Sequence, residues 1–313
     1  MKDRFNRNID YLRISVTDLC NLRCKYCMPK SGVEKLCHND ILSVEEIFDI
    51  VKVASENGIK KIRLTGGEPL VRRGFLELCR KIGNLEKIKE ICITTNGTFF
   101  SDFAKDLLSC KVKRINFSLD TLNSEKYREI TRGGSLEKVL DSISTAIKLG
   151  FRVKINCVLI GGFNDDEILD FVKLTEHNDI QVRFIELMQI GETSNWSKEK
   201  FISNDVVLNR ISDYASIGVD GVARTYRVKG FKGTFGLISP ISKCFCQDCN
   251  RIRITSDGKL KPCLHSKDEI DLKGLKGEEL YKIFKFGIYE KPKSHHLDKS
   301  KSESLRNMNK IGG

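Results

Sequence analysis

The 313-residue sequence predicts an α/β fold: an incomplete (β/α)6 barrel of TIM-like type followed by a smaller C-terminal α+β region. Three observations predict it. Six short strand-like runs alternate with helix-period segments over the first two thirds of the chain. One face of each run is apolar, and the other is polar and often basic. After about residue 220 the rhythm gives way to short strands with glycine turns.

The strand candidates, in order, are YLRISV, KKIRLTG, EICITTN, VKRINFSLD, FRVKINCVLI and IQVRFIELM. Between them lie SVEEIFDIVKVASENG, FLELCRKIG, SDFAKDLLSC, SLEKVLDSISTAIKLG and DDEILDFVKLTEHN. Most of these carry apolar residues at helical spacing, and several end in Gly or Asn. Strands joined through helices run parallel. An antiparallel sheet with one wet face is the alternative, and the intervening helices argue against it.

Side chains alternate faces along a strand. Leu12 and Ile14 therefore oppose Arg13, Ser15 and Thr17, and Ile62 and Leu64 oppose Lys61, Arg63 and Thr65. Ile91 and Ile93 oppose Cys92, Thr94 and Asn96. Ile115, Phe117 and Leu119 oppose Asn116, Ser118 and Asp120. Lys154 shares a face with Asn156, and the sixth strand carries Arg183. Closed barrels fill their interior with Val, Ile and Leu. A lumen lined by Arg, Lys, Thr, Ser and Asn instead describes a cavity for a large, anionic, hydrogen-bonding ligand.

Beyond residue 220, VARTYRVKG, TFGLISP and NRIRITSDGKLKPCL read as short strands, and GEELYKIFKFGI as a helix. A Lys- and Ser-rich tail follows, flexible by composition. The expected divisions are 1–220 for the partial barrel, 221–290 for the region that closes it, and 291–313 for the tail.

The formal net charge of +12 favours a polyanionic partner: a nucleotide, a nucleic acid or an acidic protein. Solubility alone is the plain alternative. Nucleic acid is disfavoured, because the basic residues sit in strand interiors and not along an exposed helix or aromatic platform. No apolar stretch approaches the roughly eighteen residues of a membrane span. The start of the chain lacks the apolar core of a signal peptide, so a cytoplasmic location is expected.

In a reducing compartment the twelve cysteines read as metal sites before disulfides. Cys20, Cys24 and Cys27 follow directly on the first strand, at the end where α/β barrels place their chemistry. Three thiolates leave one corner of a four-iron cluster without a protein ligand, and an open position is where a substrate or cofactor binds. Cys246, Cys249 and Cys263 form a second set. Cys244 could close it with a fourth ligand, and the spacing leaves zinc open beside iron–sulfur. Cys37, Cys79, Cys92, Cys110 and Cys157 read as buried small hydrophobes or spectators. His295 and His296 could serve a metal site, but read first as part of a solvated tail.

CNLRCKYC resembles the signature of radical S-adenosylmethionine enzymes, and TGGEP at 65–69 resembles their S-adenosylmethionine-binding stretch. The second cysteine set, with CNRIRIT, KPCL and the terminal RNMNKIGG, is similar to the GTP-cyclising family of molybdenum cofactor biosynthesis. The resemblance runs nearly the whole chain. It implies two [4Fe–4S] clusters. Cys20, Cys24 and Cys27 would hold the first and Cys246, Cys249 and Cys263 the second, which keeps an open iron facing the guanine. Cys244 is then a bystander. The resemblance implies S-adenosylmethionine contacts from Tyr26, Gly66, Gly67, Glu68, Ser118 and Met188. It implies GTP contacts from Arg13, Arg63, Thr94, Lys154, Arg251 and Arg253, with Lys61 and Arg183 as additions. It implies a tail whose Gly312 and Gly313 reach the active site, where with Arg251 and Arg253 they take part in catalysis. The implied reaction uses a 5'-deoxyadenosyl radical to take the ribose 3'-hydrogen and join C3' to C8. The implied partners are a reductant such as flavodoxin or ferredoxin and the downstream cyclic pyranopterin monophosphate synthase; a homodimer is also allowed. A peptide-modifying radical enzyme is the other enzymatic reading, and it has no need of Arg251, Arg253 or the Gly-Gly end.

No internal phosphate loop of the Walker type is present, so a triphosphate would have to be held by side chains. Arginine suits that task because its planar fork donates paired hydrogen bonds.

Overall fold

A computed structural model of the chain describes residues 1–33, 36–295 and 302–312. The elements run β1 (Tyr11–Ser15), α1 (Val44–Glu56), β2 (Lys61–Thr65), α2 (Phe75–Gly83), β3 (Glu90–Thr95), α3 (Phe100–Ser109) and β4 (Val112–Ser118). They continue with α4 (Ser124–Thr131), α5 (Leu136–Lys148), β5 (Arg152–Leu159), α6 (Ile168–Lys173), β6 (Gln181–Glu186) and α7 (Asp205–Arg210). The last are β7 (Tyr214–Asp220), β8 (Ala223–Val228), β9 (Thr234–Ile238), β10 (Arg251–Ile254), β11 (Lys259–Lys261), β12 (Ile270–Asp271) and α8 (Gly277–Tyr289).

Among the described residues, all twelve strands join one sheet, in the order β12-β11-β10-β1-β2-β3-β4-β5-β6-β9-β8-β7. The six expected strands are its centre. β10 adds to β1 and β9 adds to β6, both parallel, so eight parallel strands run consecutively. Antiparallel strands extend each end, and the two ends do not meet. The sheet is thus a partial barrel, as expected, widened by two strands from beyond residue 220.

The alternation expected of the strands holds. Leu12, Ile14, Ile62, Leu64, Ile91, Ile93, Ile115 and Phe117 are buried in the main core with the apolar stripes of α1, α2, α3 and α5. The polar faces turn the other way, into a cavity described below. The elements missing from the sequence reading are short or atypical: α4 and α7 are eight and six residues, and β7 is exposed along nearly its whole length.

Local chemistry sets several element ends. Ser43 caps α1 by accepting from Glu46 N at 3.1 Å, and Glu46 Oε2 accepts from Ser43 N at 2.8 Å. This reciprocal box fixes where the helix starts. Asn123 Oδ1 accepts from Glu125 N and Lys126 N and starts α4 in the same way.

Two buried side chains tie the C-terminal region to the barrel. Glu186, at the end of β6, accepts from the backbone N–H groups of Asn204, Ile241 and Ser242 and from the Ser242 hydroxyl. Arg7 lies in the N-terminal segment, which the sequence reading passed over. Its guanidinium pairs with Asp3 at 2.7 Å and donates to the carbonyls of Cys246 (2.8 Å), Pro292 (2.6 Å) and Lys293 (3.0 Å). One side chain therefore fixes the second cysteine loop against the chain leaving α8.

The tail, read from composition as flexible, docks over residues 302–312. Arg306 forms paired bonds to Asp257 (2.9 Å) and to Glu269 (2.6 and 2.7 Å), and Asn309 Nδ2 donates to the Asp18 carbonyl.

Arg7→Ala leaves the buried Asp3 carboxylate without its charged partner and several carbonyls without their donor. It is expected to cost about 3 kcal/mol in urea unfolding of the reduced, metal-free chain, with little recovery in Arg7→Lys, which cannot form the fork. A loss below about 1 kcal/mol would show that the guanidinium does not organise this region.

Candidate active site

The first cysteine loop leaves the C-terminal end of β1. It is packed against the loop after β2 by backbone pairing: Gly67 N–H donates to the Thr17 carbonyl and Glu68 N–H to the Leu19 carbonyl, at 2.7 and 2.8 Å. A side chain at Gly67 would run into the Leu19 and Asp18 carbonyls, so glycine is required for this approach. Glu68 does not face the cavity. Its buried carboxylate accepts from Leu70 N, Thr95 Oγ1 and Asn96 N, and burial raises its pKa to about 7. It positions the loop.

Both three-cysteine sets line one cavity of about 330 Å³, within the range that holds small ligands. Cys20, Cys24 and Cys27 follow β1, whereas Cys246 and Cys249 precede β10, which is parallel to β1, and Cys263 follows β11, which is antiparallel to β10, so the two sets lie at opposite ends of these strands. Tyr26, Gly66, Gly67, Ser118 and Met188 line it at the C-terminal ends of the strands, the end from which the first set extends. Tyr26 donates its hydroxyl to Asp120 at 2.7 Å.

The floor of the cavity is the polar strand face. Arg13, Lys61, Arg63, Thr94, Arg183, Arg251 and Arg253 all line it. Lys154 is buried on the same face with its ammonium paired to Asp220, which also accepts from Arg183 at 2.8 Å. Tyr11 Oη, Arg63 Nε, Thr94 Oγ1 and Asn156 Oδ1 are buried here with no hydrogen-bond partner among the described residues. Buried polar atoms are ordinarily paired, so such a group at a cavity wall marks where a polar ligand belongs.

Cys249 differs electrostatically from the first thiol set. Burial pushes Cys20 up to about 11 and Cys27 up to about 12. Burial also raises Cys249, but Lys291 and Arg251 more than offset it and bring that thiol down to about 6. Each set is three soft sulfur donors opening on a cavity. That suits an iron–sulfur cluster with one iron left for a ligand. The residues present therefore fit two such clusters.

The tail enters the site. Arg253 Nη1 donates to the carbonyls of Gly312 (2.7 Å) and Ile311 (3.3 Å), and Met308 lines the cavity. Gly312 adopts φ +67° against Thr65, where a side chain would collide. Gly313 and His296 lie outside the described residues. His295 departs from the solvated-tail expectation: it is half-buried, 3.5 Å from Cys244 Sγ and stacked edge-on against His265. Cys37 is exposed, and Cys79, Cys92, Cys110 and Cys157 are buried. Cys92 is no inert hydrophobe, because Arg114 donates to its sulfur at 3.2 Å.

Sequence reasoning missed Arg114, Lys291, Asp220 and Arg7. Arg114 follows from the same alternation that exposed Asn116 and Ser118. Lys291, whose Nζ donates to the Arg251 and Pro262 carbonyls, had no local signal beyond following a helix.

Residues 14–175 match the Radical SAM superfamily, and residues 180–297 match the family described as Molybdenum Cofactor Synthesis C. The chain is 52% identical over 320 residues to a GTP 3',8-cyclase of Alkaliphilus metalliredigens, covering 100% of each. It is 51% identical to the GTP 3',8-cyclase of Peptoclostridium acidaminophilum, covering 99% of this chain and 98% of that one. Among solved structures it resembles Streptococcus suis SuiB bound to precursor peptide SuiA, with a TM-score of 0.65 at 16% identity over 97% of this chain and 76% of that chain. That likeness concerns the fold alone. The full-length likeness to the cyclases, together with two open thiol sets facing one cationic cavity, decides the family: the chain belongs to the GTP 3',8-cyclases of the radical S-adenosylmethionine superfamily.

Proposed function

We propose that this chain converts GTP to (8S)-3',8-cyclo-7,8-dihydroguanosine 5'-triphosphate, the first step of molybdenum cofactor biosynthesis. The observation that carries the reading is the placement of both thiol sets on one cavity with a buried arginine floor. When bound, the first cluster and S-adenosylmethionine supply the one-electron chemistry that abstracts the ribose 3'-hydrogen.

The chain's own residues do the rest. Cys20, Cys24 and Cys27 hold the first cluster, and Tyr26, Gly66, Gly67, Ser118 and Met188 orient S-adenosylmethionine beside it, with Glu68 fixing the loop from below. Arg13, Lys61, Arg63, Lys154 and Arg183 hold the triphosphate, and Thr94 donates to the nucleotide. Cys246, Cys249 and Cys263 hold the second cluster, toward which the guanine turns. Arg251 and Arg253, with Gly312 of the docked tail, close over the reacting sugar and exclude water; the expected catalytic role of Gly313 falls outside the described residues. The three-part division at residues 220 and 290 belongs to this reading. So do an acidic flavodoxin or ferredoxin as reductant, a downstream cyclic pyranopterin monophosphate synthase, a homodimer and a cytoplasmic location. Among the described residues no helix is long and apolar enough to cross a membrane.

The direct test is anaerobic. The reconstituted chain, with S-adenosylmethionine, reductant and GTP, is expected to form 5'-deoxyadenosine together with a cyclised GTP product by mass spectrometry. Cleavage that ignores GTP would overturn the substrate. Arg253→Ala, with or without Arg251→Ala, is expected to weaken GTP binding about tenfold or more while the first cluster still forms. Unchanged GTP kinetics would remove these residues from the site.

Burial and neighbouring Arg183 bring Lys154 down from 10.5 to about 7. Its charged form holds phosphate, so nucleotide affinity should fall as pH rises through about 7, with net proton uptake on binding above that pH. Calorimetry in buffers of different ionisation enthalpy reads this uptake. Lys154→Arg should abolish it, and an equal uptake in that variant would contradict the assignment.

Asp220 carries a carboxylate on the two cations that would take a phosphate. Asp220→Asn removes the competing charge and is expected to tighten GTP binding several-fold, about 1 kcal/mol. Weaker binding would mean that Asp220 instead holds the cations in place for the nucleotide.

A further inference from the structure

The second cysteine set has neighbours that the proposed function does not use. One ligand atom each from Cys244, Cys246 and His295 lie within 4.8 Å of one another. Cys244 Sγ is 3.5 Å from His295 Nε2. A tetrahedral zinc ion with Zn–S of about 2.3 Å and Zn–N of about 2.0 Å sets its sulfur and nitrogen ligands roughly 3.5 Å apart. The three residues come from segments about fifty positions apart in the chain, and the fold holds those segments together. Arg7 donates to the carbonyls of both Cys246 and Lys293. The His295 ring is set by its Nε2 contact to the Pro240 carbonyl at 3.0 Å and by the edge of His265, centroids 5.1 Å apart.

We propose that Cys244, Cys246 and His295 form a binding site for a borderline-soft divalent ion of the zinc class, open at its fourth position. Two thiolates and an imidazole are the donor set that such an ion prefers. Binding releases the two thiol protons. It also exchanges the Nε2 contact to Pro240 for the metal, leaving the imidazole proton on Nδ1. Cys246 is shared with the proposed second cluster, so the two occupancies exclude each other. Zinc held here leaves Cys249 and Cys263 one ligand short. That exclusion rests on the proposed cluster assignment, whereas the zinc-class site itself does not.

The test uses the full-length, chelator-stripped and reduced chain, with Cys20, Cys24 and Cys27 replaced by serine so that the first set is silent. Titration with Co²⁺ is expected to give tetrahedral d–d bands with thiolate charge transfer. Cys244→Ser should remove about half of that charge-transfer intensity. Competition with Zn²⁺ should show His295→Ala binding about tenfold or more weaker, since loss of even an outer partner of a ligand costs that much. Cys249→Ser and Cys263→Ser should change neither readout. Spectra indifferent to Cys244→Ser and His295→Ala, or lost equally in Cys249→Ser, would overturn the site.

A second arm separates the two claims. The chain with Cys20, Cys24 and Cys27 replaced by serine, preloaded with Zn²⁺ and then given iron and sulfide, should take up almost no iron, against one cluster's worth without zinc. Adding Cys244→Ser and His295→Ala should restore that uptake in the presence of zinc. Full uptake by the zinc-loaded chain that keeps Cys244 and His295 overturns the exclusion. Full uptake by zinc-free Cys249→Ser would instead overturn the cluster assignment.

Discussion

Everything in this molecule is arranged around a row of like charges that the sheet holds side by side. Parallel register sets Arg253, Arg13 and Arg63 opposite one another on β10, β1 and β2, then Cys92 on β3 and Arg114 on β4. Neighbouring strands are about 4.8 Å apart, so Arg13 stands between two like charges, while Arg63, although burial lowers it, is raised above its ordinary value by Tyr11 and Cys92. Arg13, at the centre, is pushed well below its ordinary pKa by burial and then by Arg253 and Arg63. Arg183 and Arg253 come down to about 10, burial being the largest cause in each. Such a row is stable only with counter-charge.

The chain supplies part of that counter-charge itself. Glu90 pairs with Arg114 at 2.9 Å and Lys61 at 2.8 Å, and Asp220 pairs with Lys154 and Arg183. The Cys92 thiol, raised by burial, is brought below its ordinary value by Arg63 and Arg114 on either side. The carbonyls of Ile311 and Gly312 answer Arg253. What remains is a cationic floor with orphaned polar atoms, a surface complementary to a polyphosphate. β1 and β10 are adjacent and parallel, so the loop after β1 and the loop before β10 lie at opposite ends of the strands, with the arginine row between them. The loop after β1 carries Cys20, Cys24 and Cys27, and the loop before β10 carries Cys246 and Cys249. A ligand anchored on the floor is thereby presented to both.

Much of this was legible in the sequence, for stated physical reasons. The two-residue period of a strand placed Arg13, Arg63, Thr94 and Arg183 on one face without any structure. Cysteine spacing located both thiol sets. The placement of β9 and β10 inside the main sheet was not legible, because their pairing partners lie far away in the chain and leave no local period. Arg7 was invisible for the same reason: its partners are about 240 and 285 positions downstream. His295 looked solvated because composition reports chain flexibility and not a single docked ring. The tail misled composition in the same way, since one arginine, Arg306, paired with Asp257 and Glu269, outweighs its many polar neighbours.

The buried arginine row selects a polyphosphate, and equilibrium dialysis of the reconstituted chain against GTP and guanosine measures that selection. Two or more charge-assisted bonds to phosphate should make GTP bind about a hundredfold tighter, roughly 3 kcal/mol, with the difference shrinking as salt rises. Equal affinity for GTP and guanosine would contradict the account, because the charged floor would then have no part in holding the substrate.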